Sequence, residues 1–352
     1  MTWEKLLLLA SKAPDKQAGQ AAKRRWDSIA KPLGSLGLLE QSVEKIAALT
    51  GQPDYSIGSR AVLVFCADNG VVEEGVTQTG SGVTASVARN LAAGTTAVCV
   101  MAKEAHCRVI PVDVGILNMP SVPGLLSRRA ANGTGNIARG PAMTREEAKA
   151  AVLAGANLVE EQMALGVKIF AVGEMGIGNT TTASALSCAL LGETPERMTG
   201  RGAGLSAQGL AKKVDAVRRA LAANQDAFQD PLGTLAAVGG LDIAAMAGAF
   251  LGGAALGAPM IVDGVISAAA ALAAARLAPG AEKAMIAGHV SAEPAGALLL
   301  HALCLEPLIT ARMRLGEGTG AVAALPLLDM AYAVYRSGGT FEQAEIEAYR
   351  PL

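Results

Sequence analysis

The chain has 352 residues, 51% of them hydrophobic, 17% charged and only 3% aromatic, with 41 glycines and a net charge of −1. That length allows one large domain and a smaller one, and the glycine- and alanine-rich composition suits close-packed helices better than a β-sandwich. A charge so near zero gives no electrostatic footprint for nucleic acid or an anionic membrane, so neither partner is expected.

Three amphipathic helices are predicted first, over Trp3–Ala10, 17–29 and 38–49. The turn Lys31-Pro32-Leu33-Gly34-Ser35-Leu36-Gly37 precedes the third, and Gly51 and Pro53 end it. Leu38, Leu39, Val43, Ile46 and Leu49 can share one face of that helix. Beyond Ser59, short apolar runs alternate with helical stretches. The runs 61–66, 107–113, 167–173, 259–262 and 283–287 lack polar alternation, as strands buried on both faces of a parallel sheet do. No residue between Asp242 and Asp263 is charged. That span approaches the roughly 20 residues of a membrane helix. It is dominated by Gly and Ala, however, and Leu256-Gly257-Ala258-Pro259 reads as a turn. A buried small-residue helix followed by a strand is therefore expected. Further helices are predicted over 302–313, 321–335 and 340–349. The pattern is α/β: a mostly parallel sheet flanked by helices over 56–320, with a smaller helical domain from 1–55 and 321–352.

Open α/β sheets gather ligands outside the carboxyl ends of their strands. There the chain places Ala67-Asp68-Asn69-Gly70, Asp113-Val114-Gly115, Glu174-Met175-Gly176 and Asp263-Gly264. The stretch from Gly173 through Gly176, Gly178, Asn179 and Thr180 to Thr182 opens an alanine-rich helix. Its glycines allow backbone N–H groups near an anion, and the helix amino terminus favours negative charge. Asn179 and the threonines add side-chain donors, or simply cap the helix. Thr199-Gly200-Arg201-Gly202-Ala203-Gly204-Leu205 offers a second anion seat with Lys212 and Lys213, unless those lysines lie on a solvated face.

In His289-Val290-Ser291-Ala292-Glu293-Pro294, Ser291 suits a helix N-cap and Pro294 an early helical position, so phosphate oxygens could be received there. His289 alone reads more readily as a packed histidine than as an acid or base. Arg314-Leu315-Gly316-Glu317-Gly318-Thr319-Gly320 sets a glutamate between glycines, poor material for a helix or a core. It is either a surface turn or a cleft-side general base, with partial burial raising its pKa and nearby N–H groups lowering it.

The five cysteines are scattered without a C-x-x-C pair, as reduced thiols of a cytoplasmic protein would be. The three histidines show no H-x-x-x-H spacing, so no metal site is expected. The amino terminus has no basic region leading into an apolar stretch, so no export signal is read. Two rival readings are a nucleotide-dependent oxidoreductase and a small-molecule binding or membrane transport component. The first rests on Asn132-Gly133-Thr134-Gly135-Asn136-Ile137-Ala138, which approximates G-x-G-x-x-A but follows no strand; the second rests on the apolar 243–262 span.

Seven segments in order carry a family resemblance over nearly the whole chain: 31–37, 67–71, Gly140-Pro141-Ala142-Met143-Thr144, 173–181, 200–202, 291–294 and 315–320. Together they closely resemble the nicotinate-nucleotide:dimethylbenzimidazole phosphoribosyltransferases. The resemblance implies a doubly wound α/β domain, the two-ended helical domain, a homodimer, and neither metal nor cofactor. The implied reaction moves phosphoribose from nicotinate mononucleotide to 5,6-dimethylbenzimidazole, or a related lower-ligand base of cobalamin. It yields α-ribazole 5′-phosphate and nicotinate, with inversion at the anomeric carbon. Glu317 becomes the general base, with Glu174 beside it as a second catalytic candidate. Gly176, Gly178, Asn179, Thr180, Gly202, Lys213, Ser291 and Ala292 inherit the ribose phosphate, and Asp68, Ser81, Met175 and Leu315 the base. The chain departs from the family at Leu38, often arginine there, and at Asn69, histidine in many members. Ser81 and Gly82 stand where glutamine or a larger polar group is expected, which leaves adenine, other benzimidazoles and phenols open as acceptors.

Overall fold

The structure, a computed structural model, describes residues 1–349. Six parallel strands form one sheet: β1 (Arg60–Ala67), β2 (Arg108–Gly115), β3 (Leu126–Ser127), β4 (Ile169–Met175), β5 (Met260–Val262) and β6 (Met285–Ala287). Their spatial order is β3-β2-β1-β4-β5-β6. Five of them are the predicted apolar runs. The unpredicted β3 meets only Val112 and Asp113 and is too short to show a period. Strand order reverses between β1 and β4, where Cys66 lies opposite Met175. The carboxyl ends of the two strands therefore open on one crevice, where doubly wound sheets bind ligands.

Alternate β1 side chains feed two cores. Leu63 and Phe65 join Phe250, Leu251 and the helix Trp3–Ala10 on one face of the sheet. Val62, Val64 and Cys66 meet Trp26, Val43, Ile46, Leu325 and Tyr335 on the other. Helices from both chain ends touch there: Arg25 donates to the carbonyls of Tyr335 and Gly338. Lys31 Nζ lies 2.7 Å from Glu40, which also accepts the Leu36 N–H, so one buried pair closes the turn before the helix Leu38–Thr50.

On the first face, the helices Arg145–Ala164 and Leu241–Leu256 cross at glycines. A Cβ at Gly155 would strike the Ala245 carbonyl, and one at Gly248 the Val152 carbonyl. Every residue from Leu241 to Ala254 is buried, so the uncharged segment belongs to the protein interior. Among the described residues no helix is long and apolar enough to cross a membrane. Gly248→Leu should destabilise by at least about 1–3 kcal/mol through overpacking, read as a lower urea midpoint. An unchanged midpoint would mean that this crossing is not tight.

Two predicted helices are absent. The run 302–313 gives only its first residue to a helix, Ala295–Ala302. Cys304 is left-handed at φ 53, and Leu308 and Ile309 donate to the carbonyls of Ala287 and Gly288. The run thus covers the β6 edge in strand-like fashion, a use that apolarity alone does not distinguish from a helix. The stretch 340–349 forms turns instead, pinned where the Phe341 N–H donates to Ser28 and broken by Glu345 at φ 56. Ser291 is not the N-cap of the next helix. Pro294 takes that place, while Ser291 Oγ accepts the Glu293 N–H in a tighter local turn.

Candidate active site

A cavity of ≈ 290 Å³ lies beyond the carboxyl ends of β4, β5 and β6. Glu174, Met175, Gly176, Gly178, Asn179 and Thr180 reach it from the β4 turn, Gly202 from the second glycine loop, Ser291 from beyond β6, and Leu315 and Glu317 from the G-E-G loop. The 132–138 glycine stretch lies in an irregular segment ahead of the helix Arg145–Ala164 and contributes nothing to this lining.

β4 turns through Gly176 and Gly178 into the helix Asn179–Leu191. Gly178 is the left-handed N-cap at φ 94, and a Cβ there would come within 3.0 Å of Val72 and 3.3 Å of Asn69. Asn179 does not cap. Its buried amide donates to two carboxylates, Glu174 and Asp242. Desolvation and then the charge of Asp242 push Glu174 up to about 8, and desolvation lifts Asp242 to about 6. Burial beside Asp242 therefore favours the protonated form of Glu174.

Lys213 has no exposed surface, whereas Lys212 is exposed. The Lys213 Nζ sits behind the cavity wall, donating to Thr180 Oγ1 at 2.8 Å. A Cβ at Gly202 would lie 3.3 Å from it. Burial lowers this lysine to about 8, against the pull of Glu293. Glu293 accepts the Gly202 N–H at 3.3 Å, so the loop and the lysine share one polar cluster.

Glu317 has φ 59, between Gly316 at 93 and Gly318 at 86. A non-glycine residue there is sparsely populated and persists only where its surroundings hold it. Burial raises the pKa of Glu317, opposed by the Val98 N–H and the Thr96 hydroxyl. Its Oε2 is buried and has no hydrogen-bond partner among the described residues.

Besides Lys213, three candidates stand off the lining. Asp68 is buried at the end of β1 and accepts the Leu117 N–H, with burial raising its pKa. Ser81 precedes the helix Gly82–Ala92 without capping it, while Thr77, Gln78 and Thr79 reach the cavity. Ala292 is exposed, and its N–H is taken by the Met313 carbonyl. Conversely, Asp263 and His289 line the cavity; sequence had marked the first only as a turn and the second as a packed side chain.

A family profile described as phosphoribosyltransferase matches residues 11–346. The nicotinate-nucleotide–dimethylbenzimidazole phosphoribosyltransferase of Acetivibrio thermocellus is 45% identical over 336 residues, covering 96% of each chain. The Escherichia coli K12 enzyme of that name is 43% identical over 341 residues, 97% of this chain and 95% of its own. The crystal structure of CobT from Thermus thermophilus superposes with a TM-score of 0.90 at 42% identity, covering 95% of this chain and all (100%) of its own. Likeness of this extent, in sequence and in fold, means that the chain belongs to the nicotinate-nucleotide–dimethylbenzimidazole phosphoribosyltransferase family.

Proposed function

We propose that this protein transfers phosphoribose from nicotinate mononucleotide to 5,6-dimethylbenzimidazole or a related lower-ligand base, with inversion and with Glu317 as general base. The observation that carries the reading is the Glu317 carboxyl: half-buried at the cavity wall, raised in pKa, with one buried oxygen lacking a partner among the described residues. One ring nitrogen of the base attacks the anomeric carbon opposite the nicotinate. The new C–N bond forms as the old one breaks, and its electron pair leaves on the nicotinate nitrogen. Positive charge on the incoming ring makes its other N–H acidic, and a carboxylate within about 3 Å of that group takes the proton. Glu174, whose burial beside Asp242 favours the protonated form, is suited to donate a hydrogen bond rather than to act as a second base.

The phosphoribose has a fitting seat in Gly176, Gly178, Thr180 and Gly202, with Lys213 behind them and Ser291 opposite. Met175 and Leu315 supply wall for the base. Ser81 lies off the lining, so base choice falls on Thr77, Gln78 and Thr79 in this reading. The proposal includes a homodimer, for which the exposed Val100, Met330 and Val334 offer apolar surface; a monomer mass by sedimentation would remove that part. The transfer itself is tested by chromatography of the protein with nicotinate mononucleotide and a panel of benzimidazoles, adenine and phenols. Base-dependent nicotinate release with a new ribotide is expected. No release with any acceptor would overturn the proposal.

A further inference from the structure

One buried side chain grips the loop that presents Glu317. Asp263, 2% exposed at the end of β5, accepts the N–H groups of Gly320 at 2.7 Å, Ala321 at 3.0 Å and Gly318 at 3.3 Å. These donors lie in the first turn of the helix Thr319–Ser337 and at its N-cap, where N–H groups lack intrahelical acceptors and the helix dipole favours a carboxylate. Asp263 is itself fixed: its own N–H donates to Ser267 Oγ, and that hydroxyl donates to the Val172 carbonyl of β4. From β4 comes a second restraint, because a Cβ at Gly173 would sit 2.5 Å from the Glu317 carbonyl carbon. His289 Nδ1 is 3.8 Å from Asp263, beyond hydrogen-bond reach, so the carboxylate is spent on the loop backbone.

We infer that Asp263 is the positioning residue for Glu317, holding the 316–318 loop left-handed so that the base is in place before either substrate binds. The inference rests on the reading of Glu317 as base. Glu317 cannot adopt this backbone by local preference, since only its glycine neighbours favour positive φ. Three charge-assisted bonds from one acceptor fix the chain immediately after it.

The test is Asp263→Asn in the wild-type and Glu317→Gln backgrounds, with kcat and donor KM measured for each and folding checked by thermal melts. Asparagine keeps the size but loses the charge and one acceptor oxygen. Alone it should lower kcat roughly 10- to 100-fold with donor KM changed less than about twofold, and beside Glu317→Gln it should add less than about twofold. An equal loss in both backgrounds, or a raised donor KM at unchanged kcat, would overturn the inference, the latter by making Asp263 a substrate ligand. Should Asp263→Asn not fold, Asp263→Ser, whose shorter oxygen reaches fewer donors, is judged by the same criteria. Near wild-type turnover in Glu317→Gln alone would instead sink the base assignment on which the inference rests.

Discussion

Glu317→Gln should lower kcat by about 10²- to 10⁴-fold, the usual share of a positioned general base, with donor binding and melting temperature essentially kept. Glutamine has the same shape and can occupy the same backbone, since the grip of Asp263 falls on neighbouring N–H groups and not on the Glu317 side chain. It also removes a carboxyl whose charge burial disfavours, so the fold has no reason to weaken. The wild-type enzyme must have Glu317 deprotonated to work. Its raised pKa in the ligand-free protein places the acid limb of kcat/KM above the ordinary glutamate range, with activity falling as pH drops through it. The variant should lose that limb together with its rate. Steady-state kinetics across pH and calorimetric titration of nicotinate mononucleotide separate the two effects. A variant with near wild-type turnover would reject Glu317 as the principal base.

The buried strands were legible because burial on both faces leaves an unbroken apolar run, as in Val62 to Cys66 and Phe170 to Val172. The site's edge was legible because parallel strands deliver their carboxyl ends, and so their glycine turns, to one side. The family resemblance singles out Lys213 over Lys212, and periodicity agrees: with Ala216, Val217 and Ala220 it falls at i, i+3, i+4 and i+7, the buried face of its helix. Other residues carried no local signal. Asp263 meets Gly318 55 positions later, and Asp242 meets Asn179 63 positions earlier. Each depends on strands and helices already being assembled. The run 302–313 misled because apolarity states that a segment is covered, not which backbone it uses. A family position gives a neighbourhood rather than a contact: Ser81 lies off the lining, while the neighbouring Thr77, Gln78 and Thr79 line the cavity.

Lys213→Met should raise the KM for nicotinate mononucleotide about 30- to 1,000-fold, equivalent to about 2–4 kcal/mol, as the loss of one partner from a desolvated charge pair does. The effect on the fold should have the other sign. In the ligand-free protein burial brings the lysine from its ordinary 10.5 to about 8, so between those values the unfolded chain binds more protons than the folded one. Lys213 therefore opposes folding below pH 8, and its penalty fades as pH rises toward 10.5. Methionine fills the space without that penalty, so at pH 7 the variant should melt no lower than wild type, with any gain shrinking in alkali. Bound phosphate favours the ammonium form, so wild-type donor affinity should fall as pH rises through about 8, and this slope should vanish in the variant. Burial also raises Glu174, so only the part of the slope that vanishes in Lys213→Met is assigned to the lysine. Equal donor affinity in both proteins at every pH would take the phosphate away from Lys213. The anion seat would then consist of Gly202 and the amino terminus of the helix Asn179–Leu191 alone.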